Sequence, residues 1–234
     1  RDEWRLLSTV ILAGILVRLF HDLSLPSSLF FGSYQLDSQV IHSWALDIAR
    51  GAPPEAPFFR APLYAYIIGG LYRLFGDSPW TFIILHNILG VSTSVLTYVF
   101  ARELFSRTVA VGSGLIVALF PTLLFYEGEL IATVFEVFIY TLSVFSMHRA
   151  VRCPNMRRIA FASVSLGLAA LTRPIILPLC LLFPLGLWLT DRKRTVFFCV
   201  SRSVIHWAIL VITILPVTLV NLLNGNELVL ISTQ

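Results

Sequence analysis

The sequence contains little charge and few cysteines, and both features limit the classes of function it can have. Charged residues make up 13% of the chain, against about 25% in a typical soluble domain. The three cysteines form no Cys-x-x-Cys or Cys/His zinc spacing, and the five histidines include no His-x-x-x-His pair. No Gly-rich phosphate loop, nucleotide fingerprint or Ser/His/Asp order occurs. Neither a zinc centre nor a nucleotide-driven reaction is therefore indicated.

The chain consists largely of long apolar segments. Hydrophobic residues make up 57% of it, and the mean hydropathy is +0.83. A membrane-spanning helix needs roughly 17–25 mostly apolar residues. Segments of about this kind lie at about 4–20, 79–101, 108–126, 129–148, 158–172, 174–190 and 203–223. We therefore expect an all-α polytopic membrane protein with about seven transmembrane helices.

The segment 62–75 is ambiguous, because at 1.5 Å per residue it covers only about 21 Å. When it is taken as an interfacial or re-entrant helix, twelve of the seventeen Lys and Arg residues fall on one side of the membrane. The positive-inside rule makes that side cytoplasmic and places the N-terminus there. Residues 21–78 then form a first extracytoplasmic loop with juxtamembrane helices. The net charge of +4 indicates membrane orientation rather than a nucleic-acid partner.

Asp37 begins the polar part of this loop. The residues after it, QVIHSWALDIARG, carry apolar side chains at helical spacing, and Gly51 is a plausible stop. Trp44 would anchor this short helix at the membrane surface. Asp37 is then either a reactive carboxylate or an ordinary helix cap. His42, one turn further on, is more typical of a core or interfacial histidine than of a metal ligand.

Two arginines on the same predicted face are candidates for binding a phosphate. Arg60 precedes Pro62 at the start of the interfacial helix, where its guanidinium would lie at headgroup depth. The alternative is ordinary snorkelling of a juxtamembrane arginine. Arg173 stands between two short apolar segments, either as a phosphate ligand or as a structural partner of the acidic residues.

Acidic residues also lie on this face. Glu129, Thr133 and Glu136 are spaced to share one face of a helix, and Glu127 lies at its rim. Glu136 falls within an apolar segment, where a carboxylate usually faces a cavity or a partner. The alternative is a solvated pair with one helix–helix hydrogen bond.

Several segments together resemble a known family. They are Trp44-Ala45-x-x-Ile48-Ala49-x-Gly51, Phe59-Arg60-Ala61-Pro62-Leu63-Tyr64, Leu71-Tyr72-x-Leu74-Phe75-Gly76, Ala101-Arg102-x-Leu104-Phe105, Tyr126-Glu127-Gly128-Glu129-Leu130 and Gly167-Leu168-Ala169-Ala170-Leu171-Thr172-Arg173-Pro174. In order and spacing the chain is similar to the GT-C membrane glycosyltransferases. Within these it resembles the bacterial relatives of protein O-mannosyltransferases and of the aminoarabinose transferase that modifies lipid A.

The resemblance implies transfer of a sugar from a polyprenyl-phosphate carrier to a protein or glycolipid acceptor, on the outer side of the bacterial inner membrane. By position, Asp37 matches the catalytic Asp of the first loop, Arg60 the Lys or Arg that precedes Pro-Leu, and Glu129 the acidic residue after the third span. Tyr64 and His42 are further candidates. Many relatives carry a second acidic residue where this chain has Ser38, which weakens the case for a divalent metal as cofactor without excluding it. The chain would be the N-terminal half of such an enzyme, with a second external loop beginning at 224–234.

Two other functions remain open from the residues alone. A polyprenyl-lipid flippase or transporter subunit would use the same loop and Glu136 to pass a headgroup, although inverted repeats, which would favour it, are not evident. A polytopic scaffold subunit without an active site is the third interpretation.

Overall fold

A computed structural model describes residues 2–28, 31–52, 54–190, 195–225 and 227–233. All regular structure in these ranges is helical, with no strand. The fold class predicted from the sequence is thereby confirmed. Parts of the two predicted external loops lie outside the described residues, namely 29–30, 53, 226 and 234. The chain divides into two compact units, Arg1–Pro53 with Tyr64–Thr141, and Pro54–Leu63 with Leu142–Gln234.

The first unit contains most of the helices. In chain order they are α1 (Asp2–Ser24), a 3-10 turn (Leu25–Ser27), α2 (Asp37–Arg50), α3 (Leu63–Phe75), α4 (Pro79–Leu104), α5 (Arg107–Ala118), α6 (Pro121–Glu127) and the beginning of α7 (Thr133–Arg152). Helix α4 is central, since it packs against α1, α5 and α6. A core of buried side chains from α2, α3 and α4 includes Ala45, Tyr64, Ile68 and Phe82.

Helices α2 and α3 form as the apolar spacing predicts. Helix α2 ends at Gly51, whose φ of +85° lies in the left-handed region that glycine adopts without strain. Gly69 of α3 faces α2, where a Cβ would lie 2.7 Å from Ile48 Cγ2 and 3.0 Å from the carbonyl oxygen of Ala45. The absence of a side chain at Gly69 therefore lets α2 lie directly on α3.

The second unit contains the rest of α7, α8 (Met156–Thr172), a 3-10 segment (Pro174–Leu181), α9 (Leu182–Thr190) and α10 (Val196–Gly225). Helix α8 packs against α10, and α9 also contacts α10. Pro178 lies inside the 3-10 segment and lacks the N–H group that a continuous α-helix would require there. The loop 54–63 belongs to this unit.

The number of membrane-spanning helices differs from the sequence-based count of about seven. Four helices among the described residues are long and apolar enough to cross a membrane: Glu3–Ser27, Pro79–Leu104, Thr133–Arg152 and Val196–Gly225. A fifth span is obtained when Arg107–Ala118 and Pro121–Glu127 are joined across their 43° bend. The segments 158–172 and 174–190 instead lie in helix α8, Met156–Thr172, and in the apolar segment Pro174–Thr190, each of 17 residues and too short to be counted as a span. A count of seven is therefore not confirmed. The segment 62–75 contains the 13-residue helix α3, which is as short as the sequence predicts.

Candidate functional site

Asp37 is the first residue of α2 and follows a tight turn. The Ser38 N–H donates to the Gln35 carbonyl oxygen at 3.2 Å, which closes a four-residue turn. Leu36 has φ 53° and ψ −118°, values that fit the second position of a type II′ turn, where glycine is usual. The Ser38 hydroxyl ties the turn further by donating to the Gln35 carbonyl and accepting from the Gln35 N–H. The turn thus fixes the start of α2 and leaves Asp37 exposed.

A cavity of about 510 Å³ lies beside this turn in the first unit. This volume is within the range of small-molecule sites, roughly 300–1,000 Å³. Its lining comes from the turn before α2 and from the corner between α6 and α7: Ser33, Gln35, Leu36, Asp37, Ser38, Phe125, Tyr126, Glu129 and Ile131. The structure therefore brings Asp37 and Glu129 to one cavity, although 92 positions (129 − 37) separate them in the sequence.

Glu129 is half-buried at the cavity, and burial raises the pKa of its carboxyl above the ordinary value. The expectation that Glu129 shares a helical face with Thr133 and Glu136 is wrong. Helix α7 begins only at Thr133, and Glu129 lies in the bend before it. The physical reason is that the chain reverses here so that Leu130, 1% exposed, packs into the core with α2 and α3.

Glu127 and Glu136 are buried and do not line the cavity. Glu127 Oε1 lies 2.6 Å from Arg18 Nη2, and both side chains are nearly inaccessible to solvent. The solvated rim position considered for Glu127 is thus wrong, because α6 directs it towards a cation on α1. Glu136 is in the first turn of α7.

His42 on α2 and Tyr64 on α3 do not line the cavity. The His42 ring stacks on Tyr34, with centroids 4.1 Å apart, and its Nδ1 is 3.1 Å from the Tyr72 hydroxyl. Burial lowers the pKa of His42, which favours the neutral ring. The position of His42 agrees with the core alternative for this residue.

Tyr64 is fully buried on α3 and bonds to a histidine of α4. His86 Nδ1 is 3.1 Å from the Glu127 carbonyl oxygen and must donate to it, so the neutral ring accepts the Tyr64 O–H at Nε2, at 2.7 Å. This chain of bonds connects α3, α4 and the end of α6. It thereby supports the corner that carries Glu129.

Arg60 and Arg173 belong to the second unit. Arg60 is partly exposed on the loop 54–63, two residues after the buried Phe58. Arg173 is exposed at the end of α8, where its backbone N–H donates to the Ala169 carbonyl.

Within the described ranges, no group of three or more His, Cys, Asp or Glu side chains is arranged to hold a metal ion. The cavity contributes two carboxylates, Asp37 and Glu129, together with amide and hydroxyl groups. These side chains alone do not complete the coordination of a divalent cation.

Sequence reasoning missed Arg18 as the partner of Glu127 and most of the cavity lining. Arg18 interrupts an apolar segment, which signals a buried partner but does not identify it. The other lining residues lie within a few positions of Asp37 or Glu129 in the sequence. Extending each candidate by its neighbours would have found them.

A family model described as dolichyl-phosphate-mannose-protein mannosyltransferase matches residues 59–222, which is most of the chain. The matched range includes Arg60, Tyr64, Glu129 and Arg173 and begins after Asp37. No curated protein and no solved structure matches the chain.

Proposed function

Because this chain belongs to the dolichyl-phosphate-mannose-protein mannosyltransferase family and is a glycosyltransferase of the GT-C type, we propose that it uses a polyprenyl-phosphate-linked sugar as donor. The sugar passes to a hydroxyl group of a protein or glycolipid acceptor. The family supports the kind of donor and acceptor. The apolar helices identify the chain as an integral membrane protein.

In the proposed reaction, Asp37 is the general base. The acceptor oxygen attacks the anomeric carbon while its proton passes to the Asp37 carboxylate. The bond between the anomeric carbon and the phosphate oxygen breaks on the opposite face, and its electron pair leaves with the lipid phosphate. Attack opposite the leaving group inverts the configuration, as in inverting glycosidases.

The guanidinium groups of Arg60 and Arg173 would stabilise the charge that grows on the departing phosphate. Glu129 would orient the acceptor from the other side of the cavity. Glu127 and Glu136 would act indirectly, by supporting the corner and the helix next to it. Substitution of each of these side chains tests the role proposed for it.

The observation that carries the proposal is the common cavity of Asp37 and Glu129. Two carboxylates from distant parts of the sequence line one pocket of ligand size, in a chain of a glycosyltransferase family. Asp37 is exposed and so can meet an acceptor.

We place the reaction on the extracytoplasmic side of the bacterial inner membrane. Twelve of the seventeen basic residues fall on the opposite side when 62–75 is not counted as a span. The turn before α2 and the α6–α7 corner then share the outer face. Membrane lipids are the expected surroundings, and nucleic acid is not an expected partner.

Transfer from a radiolabelled polyprenyl-phosphate sugar tests the proposal. Membranes that contain the chain should move label to protein or glycolipid, and Asp37→Asn should abolish this at normal expression. Asp47→Asn, which alters an exposed carboxylate of the same helix, is the matched control and should keep parental activity. Near-normal turnover by Asp37→Asn would remove Asp37 from the mechanism. Relocation of intact donor without transfer would instead support the flippase interpretation.

A further inference from the structure

The loop that carries Arg60 is attached to α10 by one buried side chain. The Phe58 N–H donates to Asn221 Oδ1 at 3.0 Å. On its other side, Asn221 Nδ2 donates to the carbonyl oxygens of Val229 at 3.0 Å and Ile231 at 3.1 Å. Asn221 itself is 0% exposed. One amide thus connects the loop 54–63 to the segment 227–233, within the second unit.

A second set of contacts fixes the same point of the loop. The Thr233 N–H donates to the Phe58 carbonyl oxygen at 3.0 Å, so both backbone polar groups of Phe58 are bonded. The Phe58 side chain is 2% exposed. Residue 58 is therefore fixed by the hydrogen bonds of its backbone and by the burial of its side chain. It lies only two residues before Arg60.

Gly225, at the end of α10, allows the loop to approach this closely. A Cβ at Gly225 would lie 2.5 Å from the Pro57 nitrogen and 2.6 Å from Pro57 Cδ. Contacts this short are not tolerated between non-bonded atoms. The end of α10 is consequently shaped to receive the loop through two residues, Asn221 and Gly225.

The bonding pattern at residue 221 suits an amide and no other side chain of this size. It requires one acceptor for an N–H and two donors for carbonyl oxygens, which an asparagine supplies together. An aspartate would direct a carboxylate oxygen at two carbonyl oxygens. A leucine would leave an N–H and two carbonyl groups without their partner in a buried site, and each such loss is unfavourable.

We propose that Asn221 is a positioning residue that fixes Arg60 where it binds the donor phosphate. This inference rests on the proposed function of Arg60. A guanidinium recognises phosphate through directed, often paired hydrogen bonds, so a small displacement of its backbone weakens binding. Asn221 acts through the backbone of Phe58 and does not itself touch the donor.

The experiment uses the whole chain in lipid nanodiscs, with Asn221→Leu and Asn221→Asp compared with Asn224→Leu. Asn224 is exposed on the same helix, one turn away, and serves as the matched control. Both Asn221 variants should speed hydrogen exchange at the Phe58 amide about tenfold or more. They should also raise the KM for the polyprenyl-phosphate sugar about tenfold with little change in kcat. The control should match the parent in all three measurements.

Gly225→Ala is the second variant, in case the Asn221 variants do not fold. It displaces the loop by a steric route while keeping the amide, and should raise KM in the same direction. Unchanged exchange at Phe58 in the folded Asn221 variants would overturn the attachment. Faster exchange with an unchanged KM would overturn the positioning role and leave the proposed function intact.

Binding of decaprenyl phosphate, measured by titration calorimetry, separates the two proposals. A parent chain that binds this lipid without transferring sugar would overturn the proposed function. If Asn221→Leu then binds decaprenyl phosphate more weakly than the parent does, the positioning role is still supported. Equal binding of this lipid by parent and variant would overturn that role. A parent that neither binds the lipid nor transfers sugar would overturn both.

Discussion

Arg18 of α1 and Glu127 of α6 form a buried ion pair, with Nη2 and Oε1 2.6 Å apart and 109 positions between them in the sequence. Arg18 Nη1 also donates to the Gly14 carbonyl at 2.9 Å and reaches the Ala118 carbonyl at 3.5 Å. One guanidinium therefore connects α1, the end of α5 and the end of α6. A Cβ at Gly90 of α4 would overlap both partners, so glycine is required where α4 passes them.

Removal of one partner of this pair should strongly destabilise the protein. We expect Arg18→Leu or Glu127→Leu to lower the free energy of unfolding by about 3–5 kcal/mol, because the remaining charge stays buried without its counter-ion. The combined variant Arg18→Met with Glu127→Leu should recover most of that loss, since neither charge is then present. Unfolding in an SDS titration measures the difference.

The control for the buried pair is Arg107→Leu. Arg107 pairs with Glu3 at 2.8 Å, but both side chains are about half exposed, and exposed pairs contribute little. We expect little change in stability. Equal losses for Arg107→Leu and Arg18→Leu would contradict a special role for burial, as would a double variant no more stable than the single ones.

Two adjacent glycines of α3 should respond in opposite ways to alanine. Gly69 faces Ile48 and the Ala45 carbonyl, whereas a Cβ at Gly70 would meet nothing within 4 Å. Gly69→Ala should separate α2 from α3 and destabilise the protein by about 1–3 kcal/mol. Gly70→Ala should be neutral or stabilise by up to about 1 kcal/mol, because alanine favours the helix. Thermal unfolding of both in detergent tests the packing of α2, and similar melting temperatures would argue against it.

Leu36 occupies a backbone conformation that leucine rarely adopts, directly before Asp37. Such strain contributes about 1–3 kcal/mol of instability, so Leu36→Gly should leave the protein equally stable or stabilise it by about 1 kcal/mol. Leu36→Val should be less stable than the parent, since a β-branched side chain tolerates positive φ least. The order of the three melting temperatures is the measurement. A glycine variant that melts below the valine variant would contradict the turn.

The raised pKa of Glu129 predicts a dependence of stability on pH. The folded state binds the proton of the Glu129 carboxyl more tightly than the unfolded state does. The stability that this proton adds is therefore fully present below the ordinary glutamate pKa. It is lost as pH rises through the higher folded pKa. Compared with Glu129→Gln, the parent should therefore lose stability as pH increases above about 4.3. Parallel curves for parent and variant across this range would show that burial does not affect the carboxyl.

The helices of the first loop were predictable because their signals are local. The spacing of apolar residues from Val40 to Ile48, with Gly51 after them, predicts α2. The segment 62–75 is too short to span a membrane, which predicts that α3 is a short helix. The predicted continuous span 108–126 is instead broken at Leu119–Phe120, before Pro121. Proline lacks the N–H that a continuous helix needs and restricts the conformation of the residue before it. Pro121 therefore indicates a break, but the high hydropathy of 108–126 favours a continuous span.

The contacts that build the site were not predictable because they join distant parts of the chain. The identity of the partner of Arg18 depends on how α1, α4 and α6 pack, which no local pattern encodes. Asn221 resembles any polar residue near the end of an apolar helix until the loop at Phe58 is placed against it. The sequence indicates Glu129 as a candidate but predicts that its helix begins about one turn too early, since the burial of Leu130 cannot be inferred from spacing alone.

The bend between α5 and α6 interrupts helical hydrogen bonding in the middle of a candidate membrane span, where water is scarce. The guanidinium on α1 reaches the Ala118 carbonyl at this bend and carries the positive charge that suits a helix C-terminus. The same guanidinium pairs with Glu127 at the end of α6. One side chain of α1 therefore bonds to both halves of the bent segment, so α1 and the pair α5–α6 should lose their native arrangement together.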